Sequence, residues 1–274
     1  MAEEKIYGIN GPVITLRDAK SFSMMEMVYV GELRLIGEVI SISDALTTIQ
    51  CYEETTGLKP GEPVIGTGSL MNVTLGPGIL NNIFDGIERP LRTLEDVSGA
   101  FIGRGMTTDS LDMKKKWDVT ILASVGDEVH AGDVFATCPE TESIEHRFMV
   151  PYGMSGTITK LLPSGLYDLS TPAGEITTVD GSVYTLPFYQ HWPIKRARPV
   201  LQHLESVIPL VTGPRIVDTL FPIAKGGAAA LPGGFGTGKT IMPHQLAKWC
   251  DAAILIYVGC GERGNENSPV LENF

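Results

Sequence analysis

The chain has 274 residues, of which 43% are hydrophobic, which allows about one to three domains with buried cores. Its 32 acidic residues outnumber its 21 Lys and Arg residues and give a formal net charge of −11. So acidic a chain is unsuited to the phosphate contacts that hold proteins on nucleic acid, and we expect no nucleic-acid partner. The first residues are polar and acidic, unlike a signal peptide, and no apolar run approaches the ~20 residues of a membrane span.

The cysteines and histidines show no pattern typical of a metal site. The four cysteines are widely spaced, without a CxxC pair, and the five histidines form no ligand cluster. We therefore expect mostly buried thiols in a reducing compartment such as the cytosol. For Cys260 two interpretations stay open, a packing role and a position where oxidation inhibits the protein.

Residues 1–70 predict a small β-barrel. Apolar and alternating patterns over 32–42 and 48–52 indicate short strands, and the glycines of 57–61 and 66–68 mark turns between strands. Short strands without intervening helices are typical of a closed barrel.

Two further segments lie between the predicted barrel and the predicted α/β domain. Residues 71–113 are interpreted as a connector, with a short helical period over 79–84. Residues 114–190 predict a second all-β module, because glycine turns such as those in 125–134 separate short strands. The pattern resembles lipoyl-carrier domains, but no carrier lysine is evident, so a structural role is favoured.

Residues 191–274 predict an α/β domain. A helix is expected at 216–221, ended by Pro222, and the apolar runs 226–231 and 252–258 are interpreted as buried strands on either side of a loop and a helix. The predicted fold class is mixed: an N-terminal β-barrel and an all-β insertion, followed by an incomplete α/β P-loop domain of the RecA-like type.

The loop between these two runs carries the most specific motif of the chain. It fits G-x-x-x-x-G-K-[ST], in which glycine N–H groups surround a phosphate. Lys239 is expected to reach the β- and γ-phosphates and the Thr240 hydroxyl to bind Mg²⁺, so ATP or ADP and Mg²⁺ are the predicted cofactors. The predicted nucleotide-binding residues are Gly233, Gly234, Phe235, Gly236, Thr237, Gly238, Lys239 and Thr240.

Two charged residues directly follow the second apolar run. Ligands of parallel sheets sit beyond the carboxyl ends of the strands, so we expect Glu262 beside the phosphates, orienting a water for attack on the γ-phosphate. Arg263 is expected to stabilise the charge of the transferred phosphoryl group. The alternative is an exposed turn with ordinary surface charges.

Motifs along the whole chain, in order, resemble one protein family, the catalytic A subunit of V-type and A-type rotary ATPases. F-type β subunits lack the insertion near 114–190. Besides the P-loop, the motifs are Gly8-Ile-Asn-Gly-Pro-Val13, Tyr52-Glu-Glu-Thr-Thr-Gly57, Leu75-Gly-Pro-Gly78, Ile83-Phe-Asp-Gly86, Arg89-Pro90, Lys116-Trp117, Val150-Pro151, Trp192-Pro193, Pro222-Ile-Ala-Lys-Gly-Gly227 and Tyr257-Val-Gly-Cys-Gly-Glu-Arg-Gly-Asn-Glu266.

The resemblance implies a function and a set of partners. It implies an ATPase or ATP synthase that couples ATP hydrolysis or synthesis to proton or sodium transport. It also implies B subunits and further A subunits in a hexameric ring, with central and peripheral stalk subunits. The resemblance also implies a cytoplasmic location, at the cytoplasmic face of a membrane. The chain would contact that membrane only indirectly, through the complex.

Several departures from the family leave alternatives open. The family's A subunits are about twice as long, so we expect a truncated copy that lacks the Walker B strand and the adenine pocket and that has no ATPase turnover in isolation. Gly234 replaces a proline, and Pro243 and Pro269 fall in expected helices, where proline costs ~3 kcal/mol, less near the first turn. A non-catalytic fragment that binds partners through the barrel and the insertion is one alternative. A Rho-like helicase is another, disfavoured by the acidic charge and the insertion.

Overall fold

The computed structural model describes residues 3–19, 21–200, 202–234 and 236–261. The chain divides into two compact units, Met1–Ala197 and Arg198–Phe274, called here the N-terminal and C-terminal units. The N-terminal unit contains two β modules and a connector, and the C-terminal unit contains the P-loop motif.

The first β module is a closed six-stranded barrel with the strand order β1-β2-β5-β4-β3-β6. All neighbouring strands are antiparallel, and alternate side chains of β2 and β3 point into a core of Val, Ile and Leu residues. The predicted barrel is thus confirmed. Its strands are β1 Glu3–Asn10, β2 Val13–Arg17, β3 Glu26–Val30, β4 Leu35–Ile42, β5 Leu46–Cys51 and β6 Pro63–Leu70.

The connector contains β7 (Asn72–Leu75) and α1 (Leu91–Ser98). The helical period predicted at 79–84 is wrong: this stretch is a loop that ends in a bridge between Phe84 and Pro90, and the helix begins directly after Pro90. The local reason is that the Asp85 amide donates to the Arg89 carbonyl and turns the chain back on itself.

The second β module is a sandwich of two four-stranded sheets, ordered β11-β10-β8-β13 and β15-β14-β12-β9. Aromatic rings fill its core, with the Phe148 and Phe188 centroids 5.0 Å apart. The predicted all-β insertion is confirmed. Its strands are β8 Lys116–Ile121, β9 Glu128–Val129, β10 Val134–Pro139, β11 Glu145–Met149, β12 Gly156–Leu161, β13 Gly165–Asp168, β14 Gly174–Thr177 and β15 Val183–Leu186. The chain leaves this module through β16 (Gln190–Pro193), which pairs with β7.

A buried ionic cluster joins the connector to the barrel. The Arg89 guanidinium lies 2.7 Å from the Asp85 carboxylate and 3.1 Å from the Glu53 carboxylate. Arg89 also donates to the Met106 carbonyl, and Glu53 accepts the Gly105 amide. The cluster therefore holds three stretches that are distant in sequence.

A second buried contact joins the connector to the sandwich. One Glu140 oxygen accepts the amides of Gly78 and Leu80, and the other lies 3.5 Å from Nδ1 of His146. Burial lowers the pKa of His146, while the neighbouring Glu140 carboxylate acts in the opposite direction. The folded protein therefore favours the neutral imidazole.

The C-terminal unit contains β17 (Pro209–Leu210), α2 (Arg215–Leu220), β18 (Ile223–Ala224) and α3 (Ile241–Trp249). The α2 helix lies where the sequence predicted a helix, and α3 follows the P-loop motif. The buried strands predicted at 226–231 and 252–258 are wrong, because within the described residues neither run belongs to a sheet and both are almost wholly exposed. An apolar run becomes a strand only when neighbours accept its backbone hydrogen bonds, and the described part of this unit offers no such neighbours.

None of the helices described by the structure is long and apolar enough to cross a lipid bilayer.

The Arg89 cluster predicts a large effect on stability. In Arg89→Met two mostly buried carboxylates lose their cation, so we expect the free energy of unfolding to fall by about 3–5 kcal/mol, measured by urea denaturation followed by circular dichroism. The matched control is Lys160→Met, which breaks the exposed Lys160–Glu175 pair and is expected to cost about 0–1 kcal/mol. Equal losses in the two variants would contradict the role of the cluster.

His146 predicts a loss of stability on acidification. Because folding lowers the pKa of His146, the unfolded chain binds the proton first as the pH falls below about 6.5. The contribution is complete above that pH and is lost below it, by at most about 1.4 kcal/mol per pH unit. We expect His146→Gln to show a shallower decline in unfolding free energy between pH 7 and 5 than the wild type, and His130→Gln, at an exposed turn, to follow the wild type. An unchanged decline in His146→Gln would rule this out.

Candidate nucleotide-binding site

The P-loop motif forms an exposed turn that leads directly into α3. Gly236 and Gly238 have φ values of +79° and +83°, a left-handed conformation that glycine adopts without strain. Nothing lies within 4 Å of the position of a Cβ at either residue, so it is the backbone conformation, and not crowding, that favours glycine there.

The start of the loop folds back on itself. The Thr237 hydroxyl donates to the Gly234 carbonyl at 2.9 Å, and a Cβ at Gly233 would collide with the Thr237 side chain. Glycine is thus required at 233 by close approach and at 236 and 238 by conformation. The sequence pattern and the backbone of these glycines agree on a tight turn.

Lys239 and Thr240 stand at the N-terminal end of α3. The Met242 amide donates to the Gly238 carbonyl at 3.0 Å, so helical hydrogen bonding begins inside the motif. The first amides of a helix lack intrahelical acceptors, and the helix dipole favours an anion at this end. Lys239 is exposed and forms no ion pair with another described residue, so its ammonium is available to a bound anion.

The Thr240 hydroxyl makes no capping hydrogen bond to α3. Hydroxyl oxygens are ligands that Mg²⁺ accepts together with nucleotide phosphates. This residue therefore fits the metal role that the sequence predicts for it. Among the described residues no group of three or more His, Cys, Asp or Glu side chains is arranged to hold a metal.

Three predicted site residues, Phe235, Glu262 and Arg263, lie outside the described residues. The distance between the predicted water-orienting carboxylate and Lys239 is therefore not described, and both catalytic roles stay predictions. The described chain approaches Glu262 through an exposed stretch that ends at Gly261, where φ is +68°.

Pro243 is the third residue of α3 and lies in its first turn. Amides in the first turn need no intrahelical acceptor, so proline costs less here than the ~3 kcal/mol of a helix interior. The helix continues to Trp249, and this departure from the family leaves the loop and helix intact.

The cysteines differ in burial. Cys51 and Cys138 are buried, and burial raises the pKa of the Cys51 thiol to about 11 and of the Cys138 thiol to about 12. Cys250 is half-buried and Cys260 is exposed, so the expectation of mostly buried thiols holds for two of the four.

An ion pair that the sequence does not predict lies between Lys225, before the P-loop, and Asp251, after α3. The Lys225 ammonium lies 2.6 Å from the Asp251 carboxylate, which also accepts the Val211 amide at 3.2 Å. The hydrogen bond from Lys225 is the main cause that lowers the pKa of Asp251, and its charge also contributes. Lys225 belongs to the quoted motif at 222–227, but nothing in the sequence pattern indicates its partner.

Three family models match the chain in the order of its modules. The beta-barrel domain of the ATP synthase alpha/beta family matches residues 6–68, and the alpha/beta subunit barrel-sandwich domain matches residues 108–195. The nucleotide-binding domain of the same family matches residues 213–274, which contain the P-loop.

Curated relatives match nearly the whole chain. A V-type ATP synthase alpha chain 2 of Clostridium tetani is 51% identical over 271 residues, and the A subunit of the A-type ATP synthase of Thermococcus sibiricus is 48% identical over 270 residues. The V-type ATP synthase alpha chain of Halothermothrix orenii is also 48% identical over 270 residues. Each match covers 98% of this chain but only 45% or 46% of the relative.

The chain thus spans slightly under half the length of these relatives. Its barrel, its sandwich and its P-loop stretch correspond, in the same order, to three domain models of one family. The chain belongs to the ATP synthase alpha/beta family, and the relatives described are A subunits, or alpha chains, of V-type and A-type ATP synthases.

Proposed function

We propose that the chain supplies the barrel, the barrel-sandwich insertion and the P-loop portion of a catalytic A subunit in a V/A-type ATPase or ATP synthase. Such a subunit couples ATP hydrolysis or synthesis to rotary transport of protons or sodium ions. The observation that carries this proposal is the exposed P-loop turn at the start of α3, within a domain order that the family models share.

The residues of the loop divide the work of holding ATP or ADP. The amides of 234–240 donate to the phosphate oxygens, and the Lys239 ammonium pairs with the β- and γ-phosphates. The Thr240 hydroxyl is the protein's ligand to Mg²⁺, which when bound neutralises charge on the β- and γ-oxygens. Positive φ at Gly236 and Gly238 supports this assignment, because successive amides form an anion-binding concavity where left-handed and right-handed residues alternate.

Two residues outside the described part complete the proposed mechanism. Glu262 accepts a hydrogen bond from the attacking water and orients it in line with the γ-phosphate. Arg263 stabilises the negative charge that moves to the phosphoryl oxygens in the transition state. In the sequence, both residues follow the apolar run at 252–258, which comes after the P-loop and α3.

The proposed partners are those of a rotary complex. They are B subunits and further A subunits in a hexameric ring, with central and peripheral stalk subunits. The names of the relatives, which denote subunits or chains of ATP synthases, support this assignment. The complex would place the chain on the cytoplasmic face of a membrane, which it contacts only indirectly. Because the net charge is −11, we expect no nucleic-acid partner.

The alternative is a non-catalytic chain that acts only through partner contacts of its barrel and sandwich, since both modules have their own cores. A hybrid separates the two functions. Residues 1–274 are joined to the remaining C-terminal portion of the Clostridium tetani relative and assembled with that relative's partner subunits. ATP turnover by the hybrid supports catalysis, and assembly without nucleotide binding supports the alternative.

Lys239→Ala tests the phosphate contact. Loss of the ammonium removes the charge that faces the β- and γ-phosphates, so we expect turnover of the hybrid to fall about a thousandfold or more. The measurement is the steady-state ATPase rate. The control is Lys248→Ala, an exposed lysine at the opposite end of the same helix, which should turn over like the wild type. Near-normal turnover in Lys239→Ala would refute the proposed role.

Glu262→Gln tests the orientation of water. The amide keeps the size of the side chain but is a much weaker acceptor for the water proton, so we expect nucleotide affinity within about twofold of wild type and hydrolysis reduced at least a hundredfold. Equilibrium binding of Mg-ADP and single-turnover hydrolysis are measured on the same hybrid, with Glu205→Gln as the control at an exposed position of the same unit. If Glu262→Gln hydrolyses ATP normally, the water-orienting carboxylate lies elsewhere.

A further inference from the structure

The Lys225–Asp251 ion pair joins the two ends of one continuous segment. Lys225 follows β18 and stands before the P-loop, and Asp251 lies two residues beyond the end of α3. Everything between them, the loop and its helix, is enclosed by this contact. Neither side chain belongs to the P-loop motif.

Backbone contacts fix the same junction. The Asp251 amide donates to the Val211 carbonyl at 3.1 Å, and the Val211 amide donates to the Asp251 carboxylate. On the other side, the Lys225 amide donates to the Ile208 carbonyl at 2.7 Å. Ile208 and Val211 flank β17, so both partners of the ion pair are tied to the antiparallel β17–β18 strand pair.

The end of α3 packs closely at this junction. A Cβ at Gly213 would stand 2.6 Å from the Cβ of Trp249, the last residue of α3, and Gly213 has a φ of +94°. The next turn of chain is fixed by Asp218, which accepts the amides of Thr212 and Gly213. The C-terminal end of α3 thus rests against the chain that follows β17, while its N-terminal end carries Lys239 and Thr240.

We propose that Lys225 and Asp251 are positioning residues for the nucleotide site. Their ion pair ties the two ends of the segment that contains the P-loop and α3 to the β17–β18 strand pair. This contact orients the phosphate-binding end of α3. The inference rests on the proposed nucleotide binding. It assigns to Lys225 a role distinct from a phosphate contact, because its ammonium is already 2.6 Å from a carboxylate. By the same inference Asp251, although negatively charged itself, favours the binding of an anionic nucleotide.

Removing the charge of Asp251 has two effects on the affinity for nucleotide, and they have opposite signs. Asp251→Asn removes a negative charge, and the field alone would then make an anionic nucleotide bind more tightly. Loss of the anchor predicts the opposite, a Kd for Mg-ADP about three- to tenfold higher. The matched control is Glu175→Gln, which makes the same change of charge in the Lys160–Glu175 pair of the sandwich and should leave the Kd unchanged.

The complete experiment compares Lys225→Met, Asp251→Asn and the exchanged pair Lys225→Asp with Asp251→Lys, using Mg-ADP as the probe on residues 1–274. We expect both single variants to bind more weakly and the exchanged pair to recover at least half of the loss on a logarithmic scale. Tighter or unchanged binding in Asp251→Asn would overturn the proposal, as would an exchanged pair as weak as the single variants.

Hydrogen exchange separates this inference from the proposed function. Without nucleotide, the anchor predicts faster exchange of the amides of α3 in Asp251→Asn than in wild type or Glu175→Gln. If residues 1–274 do not bind Mg-ADP, binding is measured on the hybrid. A hybrid that also fails to bind would refute the nucleotide site, and the exchange rates of α3 would then decide on the anchor alone. Unchanged exchange in α3 of Asp251→Asn would overturn the anchor.

Discussion

The buried guanidinium of Arg89 is the constraint on which the N-terminal unit most depends. A cation of this size leaves water only if its hydrogen bonds are replaced, and here Asp85, Glu53 and the Met106 carbonyl replace them. Because these groups come from the connector and the barrel, their pairing fixes the path of the connector over the barrel. Loss of the arginine would leave both carboxylates without their cation and would release contacts in the loop at 85–90 and at 105–106.

Two further buried glutamates follow the same physical rule. Glu38, inside the barrel wall, accepts the Tyr52 hydroxyl at 2.5 Å and pairs with Lys195 at 2.6 Å. Burial, followed by the bond to Glu38, raises the pKa of Tyr52 to about 12, so the phenol remains a donor at all physiological pH values. Glu140 binds the amides of the connector loop from the sandwich side. Apolar cores build each β module, and buried carboxylates connect the modules to the segments between them.

The sequence predicted the elements whose signals are local. Apolar and alternating residue patterns predicted strands at 32–42 and 48–52, where β4 and β5 lie, and the apolar stripe with Pro222 predicted α2. It could not predict that Arg89 meets Glu53, because 36 residues separate them and charge patterning carries no such information. The same holds for Lys225 and Asp251. The apolar runs at 226–231 and 252–258 were interpreted as strands from composition alone, although strands also need neighbours that composition cannot supply.

In the candidate site, too, features with a local sequence signal were predictable and contacts between distant residues were not. Glycine positions in the P-loop were predictable, because left-handed φ and close approach both leave a mark on residue type. The anchoring of α3 was not, since an ion pair between exposed side chains looks like ordinary surface charge in a sequence. The function proposed for the chain thus rests on the part of the site that residue type determines most strictly, the backbone of the loop.

Amide hydrogen exchange with and without nucleotide shows whether the backbone of the P-loop binds phosphate. If the backbone of the P-loop binds the β-phosphate, Mg-ADP should slow exchange of the amides in 236–242, whereas AMP at the same concentration should not, because it lacks that phosphate. Protection confined to residues 236–242 would support phosphate binding by the backbone of the loop. Equal effects of ADP and AMP, or protection that appears only in the barrel or the sandwich, would contradict it.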